Sequence, residues 1–140
     1  MKSSRLAIAI LIVTGLAAAS CAGPKETALI SNSTIPAAES SVKVGTGDNG
    51  NTTFELTVKH LALPQRVDPR ATVYVVWLRG RDTAVRAQNM GALKVDDNLN
   101  GSYSGVTPLR DFELFVTAEA SVTGTSPTGV ALLHTNVSAK

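Results

Sequence analysis

The chain has 140 residues, enough for one ordinary domain, with 13 Lys+Arg against 11 Asp+Glu. Lys2 and Arg5 account for the whole basic excess, so the chain beyond residue 20 is balanced and has no Lys/Arg cluster. That gives no electrostatic case for nucleic acid and no support for polybasic binding of membranes. The single cysteine, Cys21, excludes a disulfide within the chain, so the fold must stand on a hydrophobic core.

Residues 1–20 read as a signal-peptide helix. Lys2 and Arg5 give a positive start, Leu6 to Ala19 carries no charge, and Ala18-Ala19-Ser20 supplies small residues. The apolar run is shorter than the roughly 20 residues that span a bilayer. Residues 21–40 mix small, polar and Pro residues without a period, which predicts a flexible tether.

Residues 41–140 have the pattern of strands and turns. Val42 and Val44 alternate with polar neighbours, and Gly45 to Asn51 is dense in turn formers. Phe54, Leu56 and Val58 alternate with Glu55, Thr57 and Lys59, the period of a half-buried strand. Pro64 and Pro69 argue against a helix in 62–71. Thr72 to Leu78 is apolar on both faces, which predicts a central strand. Shorter strands are expected at 84–87 and 90–95, a turn at Asp96-Asp97-Asn98, and a strand over 99–106. Phe112 to Ala118 is the second strongly apolar strand, 121–128 reads as loop, and 130–137 closes the domain.

The sum is an all-β fold, an immunoglobulin-like antiparallel β-sandwich of seven or eight short strands. Val73, Val75 and Trp77 share one parity, and Tyr74, Val76 and Leu78 the other. A buried Trp commonly anchors such sandwiches, so the Trp77 parity is assigned to the interior, beside strand 112–116.

Few residues suggest chemistry. Asp96, Asn98 and Asn100 followed by Gly101 match the opening of a calcium loop, but Thr107 stands where the final Glu ligand belongs. His60 and His134, the only histidines, share the parity of apolar neighbours and are too few for a zinc site. Glu55, Glu113 and Glu119 fall on predicted strands and read as solvated outward positions. Among sequence motifs there is no nucleophile elbow, P-loop or dinucleotide fingerprint. No catalytic residue, metal or cofactor is expected, and the protein is read as a non-enzyme.

Two resemblances sharpen this. Ala18-Ala19-Ser20-Cys21 resembles the lipobox of bacterial lipoproteins. That resemblance implies cleavage before Cys21, acylation of its thiol and new amine with palmitate-type chains, and anchoring in the cell envelope. Ala22 rather than Asp after the cysteine implies the outer membrane in a Gram-negative cell. Second, Tyr74-Val75-Val76-Trp77, Asn89-x-Gly91-x-Leu93, Phe112-x-Leu114-x-Val116-Thr117-Ala118-Glu119 and Pro127-x-Gly129 together resemble the extracytoplasmic domain of anti-sigma-K-type anti-sigma factors. The likeness covers about residues 42–138 and implies an all-β sandwich outside the membrane. The cytoplasmic sigma-binding segment of that family has no counterpart in this sequence, so the resemblance implies only the sensor-side domain. The function expected is that of a non-catalytic envelope lipoprotein whose sandwich meets a protein or envelope component. The alternative is an exported small-ligand carrier or enzyme on the same fold.

Overall fold

The computed structural model describes residues 23–82 and 85–139. The expected signal peptide and Cys21 lie outside these. Ten strands and one helical turn follow in chain order: β1 (Lys25–Ala28), β2 (Ile30–Ser31), β3 (Glu39–Thr46), β4 (Thr52–Lys59), α1 (Pro64–Val67), β5 (Val73–Gly80), β6 (Gln88–Ala92), β7 (Lys94–Val95), β8 (Gly101–Thr107), β9 (Asp111–Glu119) and β10 (Leu133–Ser138). They form two five-stranded antiparallel sheets, β1-β3-β4-β8-β7 and β2-β10-β9-β5-β6. The all-β sandwich is therefore what the chain builds. The strands number ten rather than seven or eight because the chain changes sheets in short steps.

Those steps are the first departure from expectation. The segment read as a tether belongs to both sheets. Lys25–Ala28 pairs with β3, and Ile30–Ser31 pairs with β10. Leu29, at the crossing, is buried, and its N–H donates to the Ser40 carbonyl at 3.1 Å. Ile35 and Ala38 are buried in the same core. A chain that crosses from sheet to sheet points apolar residues inward at irregular intervals, so no period marks it. Residues 88–95 behave alike. β6 lies in one sheet and β7 in the other, with buried Leu93 at the switch. The strand expected at 84–87 does not form over 85–87, and the chain joins the sheet only at Gln88.

The interior follows the pleat. β4 turns Phe54, Leu56 and Val58 inward, with Val42 and Val44 beside them on β3. Gly105 on β8 faces Phe54, and a Cβ there would stand 2.5 Å from Phe54 Cζ. Only glycine lets the Phe54 and Tyr103 rings come together, with centroids 5.9 Å apart. The opposite sheet contributes Tyr74, Val76 and Leu78 from β5, Phe112, Leu114, Val116 and Ala118 from β9, and Leu133 and Val137 from β10.

The parity of β5 is thus the reverse of the one assigned from sequence. Tyr74, Val76 and Leu78 fill the interior, whereas Val75 and Trp77 sit on the outer face with Phe115 in a separate buried cluster. In β10 the inward residues are Leu133, Thr135 and Val137, which leaves His134 outward and half-buried.

Two tyrosine hydroxyls tie the layers together. Tyr74 donates to the Ala62 carbonyl at 2.8 Å, fixing the chain that leads into α1. Burial pushes its phenol up to about 12. Tyr103 donates to the Met90 carbonyl on the facing sheet. Met90 is exposed to it by a bulge, since the partners of β5 step from Gly91 to Asn89 between Val76 and Trp77. Gly91 carries the positive φ of 111° that the bulge requires. The helical turn α1 forms despite its prolines. Pro64 stands in the first turn, where no N–H is needed, and Pro69 lies beyond the end.

Burial of Ile35, 3% exposed, gives a direct check that 29–38 is part of the fold. Ile35→Ala should cost about 2–5 kcal/mol, read by chemical denaturation. A flexible tether would show no change.

Candidate functional site

The outer face of the β2-β10-β9-β5-β6 sheet holds the second cluster. Trp77 on β5 and Phe115 on β9 are register partners, their rings near parallel with centroids 6.5 Å apart. Arg79 lies over Phe115 with its guanidinium carbon 5.3 Å from the ring centre, and pairs with Glu113. A cation over an aromatic face is favourable in its own right. Ala87 and Val73 pack against the cluster.

Trp77 is nevertheless wholly buried, so its outer side needs a further cover. The chain between β9 and β10 supplies it. Glu119, the last residue of β9, accepts hydrogen bonds from the Thr128 N–H at 3.0 Å, the Gly129 N–H at 3.1 Å and the Thr128 hydroxyl. On the other flank, Asn89 of β6 donates through Nδ2 to the carbonyls of Val122 and Gly124, both at 2.7 Å. A loop pinned to β9 at one point and to β6 at the other must cross β5 between them, over Trp77.

Beneath the loop runs one chain of hydrogen bonds. Trp77 Nε1 donates to Thr117 Oγ1 at 2.9 Å, and the Thr117 hydroxyl donates to Glu119. Burial pushes the Glu119 carboxyl up, but the donors from Thr117, Thr128 and Gly129 outweigh it and hold the group below the ordinary glutamate value. Glu119 was expected to be solvated and outward. It is buried, 5% exposed, because it serves as the acceptor for the loop's orphaned amides. Glu55 is exposed as expected, and Glu113 is half-buried in its pair with Arg79.

The other candidate residues do not come together. Asp96 accepts from the amides of Asn98 at 2.9 Å and Asn100 at 2.8 Å. The Asn100 amide above all holds its carboxyl low against the opposing effect of desolvation, with the Asn100 side chain and the Asn98 amide adding to it. The calcium-like spacing is a turn that closes on its own backbone, with Leu99 at a φ of 61°. His60 follows β4 at a positive φ of 56° and is exposed. Among the described residues no group of three or more His, Cys, Asp or Glu side chains converges. Cys21 lies outside them. The loop clamp was missed from sequence, although Thr117-Ala118-Glu119 and Pro127-Thr128-Gly129 were both in view. Alternation of Thr and Glu at a strand end reads equally well as solvated.

One cavity stands out, at the end of the sandwich where β1 starts. Its volume is about 1020 Å³, and Lys25, Val44, Phe54, Gly105, Val106 and Ala139 are among its walls. Comparison with protein-family models, curated proteins and solved structures finds no match to this chain.

Thr117→Val keeps the shape but leaves the Trp77 N–H without its acceptor and removes a donor to Glu119. It should cost about 1–3 kcal/mol. The Glu119 clamp also makes stability depend on pH. A carboxyl held low in the folded state stabilises above its unfolded value, about 4.3, and that contribution is lost as pH falls through the lower folded value. The stability gap between wild type and Glu119→Gln should therefore be constant above about pH 5 and shrink below about pH 4.3. A gap that is flat from pH 7 to 3 would remove the clamp from the account.

Proposed function

We propose that the protein is a non-catalytic lipoprotein of the cell envelope, anchored through acylated Cys21, whose sandwich is an interaction or sensor-like domain. The observation that carries this reading is the join between anchor and fold. The lipobox-like Ala18-Ala19-Ser20-Cys21 is followed by β1 at Lys25, so only Ala22, Gly23 and Pro24 separate the expected acylated residue from a sheet. Signal-like residues precede a domain that begins almost at once after Cys21. The resemblance of 42–138 to the sensor-side domain of anti-sigma factors supports an interaction role outside the membrane. So does the clamped loop 120–131. Its buried polar groups hold a surface segment in one shape, as a binding loop on a rigid scaffold requires.

The second reading, a carrier of a small ligand, draws on the cavity at the β1 end. The charged residues in its walls, Lys25, Lys43 and Glu55, are exposed rather than buried and aimed inward, which favours the first reading.

The test is the mass of the protein extracted from the envelope. The expected result is an N-terminal Cys21 bearing a diacylglyceryl thioether and an amide-linked acyl chain. An unmodified chain starting at Ser20 or Cys21 would overturn the anchor. Native mass spectrometry of the same sample, with a defined small molecule retained at one per chain, would move the assignment to the carrier.

A further inference from the structure

The geometry points to a fixed seating of the sandwich: the end that holds the β1 start rests on the bilayer, with the opposite end turned outward. This rests on the lipid-anchor reading above and deepens it. From Cys21 to Lys25 the chain spans four residues, a reach of at most about 14 Å when fully extended. β9, with nine residues, runs about 30 Å from one end of the sandwich to the other. The leash is half the length of the body it holds, and Lys25 is already locked in a sheet opposite Val44.

The pairing registers define the two ends. With the β1 start lie the 47–51 turn, the end of β8 at Thr107, the 108–110 turn and Ser138–Ala139. The opposite end holds α1, the 96–100 turn, Lys59 and Lys94.

The chemistry of the near end suits a headgroup layer. Val106 is 56% exposed and Leu109 half-exposed, with Pro108 between them and exposed Arg110 following. Apolar side chains flanked by a long basic residue are the usual composition of an interfacial contact, the guanidinium staying at the phosphate level. Lys25 lines the cavity beside them. A side-on seating along the β1 edge would instead press an unpaired strand edge toward lipid, where its amides and carbonyls lose water without gaining partners.

The native lysines report the seating without substitution. Lys25 lies toward the near end, Lys43 at mid-height on β3 beside β1, and Lys59 and Lys94 at the far end. The lipoprotein in nanodiscs of phosphatidylethanolamine and phosphatidylglycerol is labelled with a water-soluble amine reagent, and each lysine is read by mass spectrometry against unlipidated Cys21→Ser protein in solution. Lys25 should be slowed several-fold and Lys43, Lys59 and Lys94 unchanged. Equal rates at all four, or slowing of Lys43, Lys59 or Lys94, would overturn the seating. Failure of the anchor itself is read separately, from intact mass. If Cys21 is bare, the same labelling is done on protein joined through its thiol to a maleimide phospholipid in the nanodisc. The same pattern then supports the seating, and equal rates overturn it.

Discussion

The antiparallel pair of β5 and β9 has no face turned to water, and much of the molecule is arranged around that fact. Tyr74, Val76 and Leu78 with Phe112, Leu114 and Val116 face the other sheet. Val75, Trp77 and Phe115 face away from it and are just as buried. Two strands apolar on both faces concentrate burial at roughly 25 cal/mol per Å² of apolar surface, but only if both faces are covered. One cover is a sheet. The other has to be made from loops and from the guanidinium of Arg79, which carries its own solvation to the rim.

A loop is a poor cover unless its backbone is satisfied, because each buried amide without a partner costs about 1–3 kcal/mol. Glu119 answers this. One carboxylate takes the amides of Thr128 and Gly129, the Thr128 hydroxyl and the Thr117 hydroxyl, and through Thr117 reaches the indole N–H of Trp77. Removing the charge from water is unfavourable, and the donors prevail over it, as the lowered carboxyl shows. Asn89 closes the other side. Its Nδ2 holds the loop while its Oδ1 accepts from Gly91 at 2.8 Å and stabilises the bulge. The same residue thus sets the loop over Trp77 and turns the Met90 carbonyl toward Tyr103.

What the sequence made legible follows from this physics. Phe54, Leu56 and Val58 alternate cleanly because their strand has one wet face, so element and orientation could both be read. Strand 73–80 could be placed as central, but its inward side could not be read, since a strand dry on both faces has no alternation to break the tie. Preference for a buried Trp then chose the wrong side. Trp77 is buried, but beneath a loop whose path depends on Asn89, 33 and 35 residues from the carbonyls it holds. Residues 22–40 looked like a tether because Leu29, Ile35 and Ala38 follow no period, which is how a chain looks when it crosses between layers. Of the candidate site, the pieces Thr117–Glu119 and Thr128–Gly129 were visible, but their meeting was not, because nothing local marks a carboxylate as inward.

The residues that most resembled ligands show why such spacing is weak evidence. An oxygen side chain two residues before a backbone amide is the geometry of a metal loop and of an Asx turn alike. Here the turn is what forms, five times over: Asn32 to Thr34, Asn49 to Asn51, Asp68 to Arg70, Asn89 to Gly91 and Asp96 to Asn98. In each the oxygen already faces an N–H. With that N–H as partner the oxygen is satisfied without a cation. At Asp96 one carboxylate oxygen accepts two amides, at the position where the calcium-like pattern is most complete. The same reasoning separates Glu119 from a general acid or base. A carboxylate surrounded by four donors and held low has no lone pair presented to an incoming proton or substrate. Its chemistry is directed inward, toward the shape of a loop.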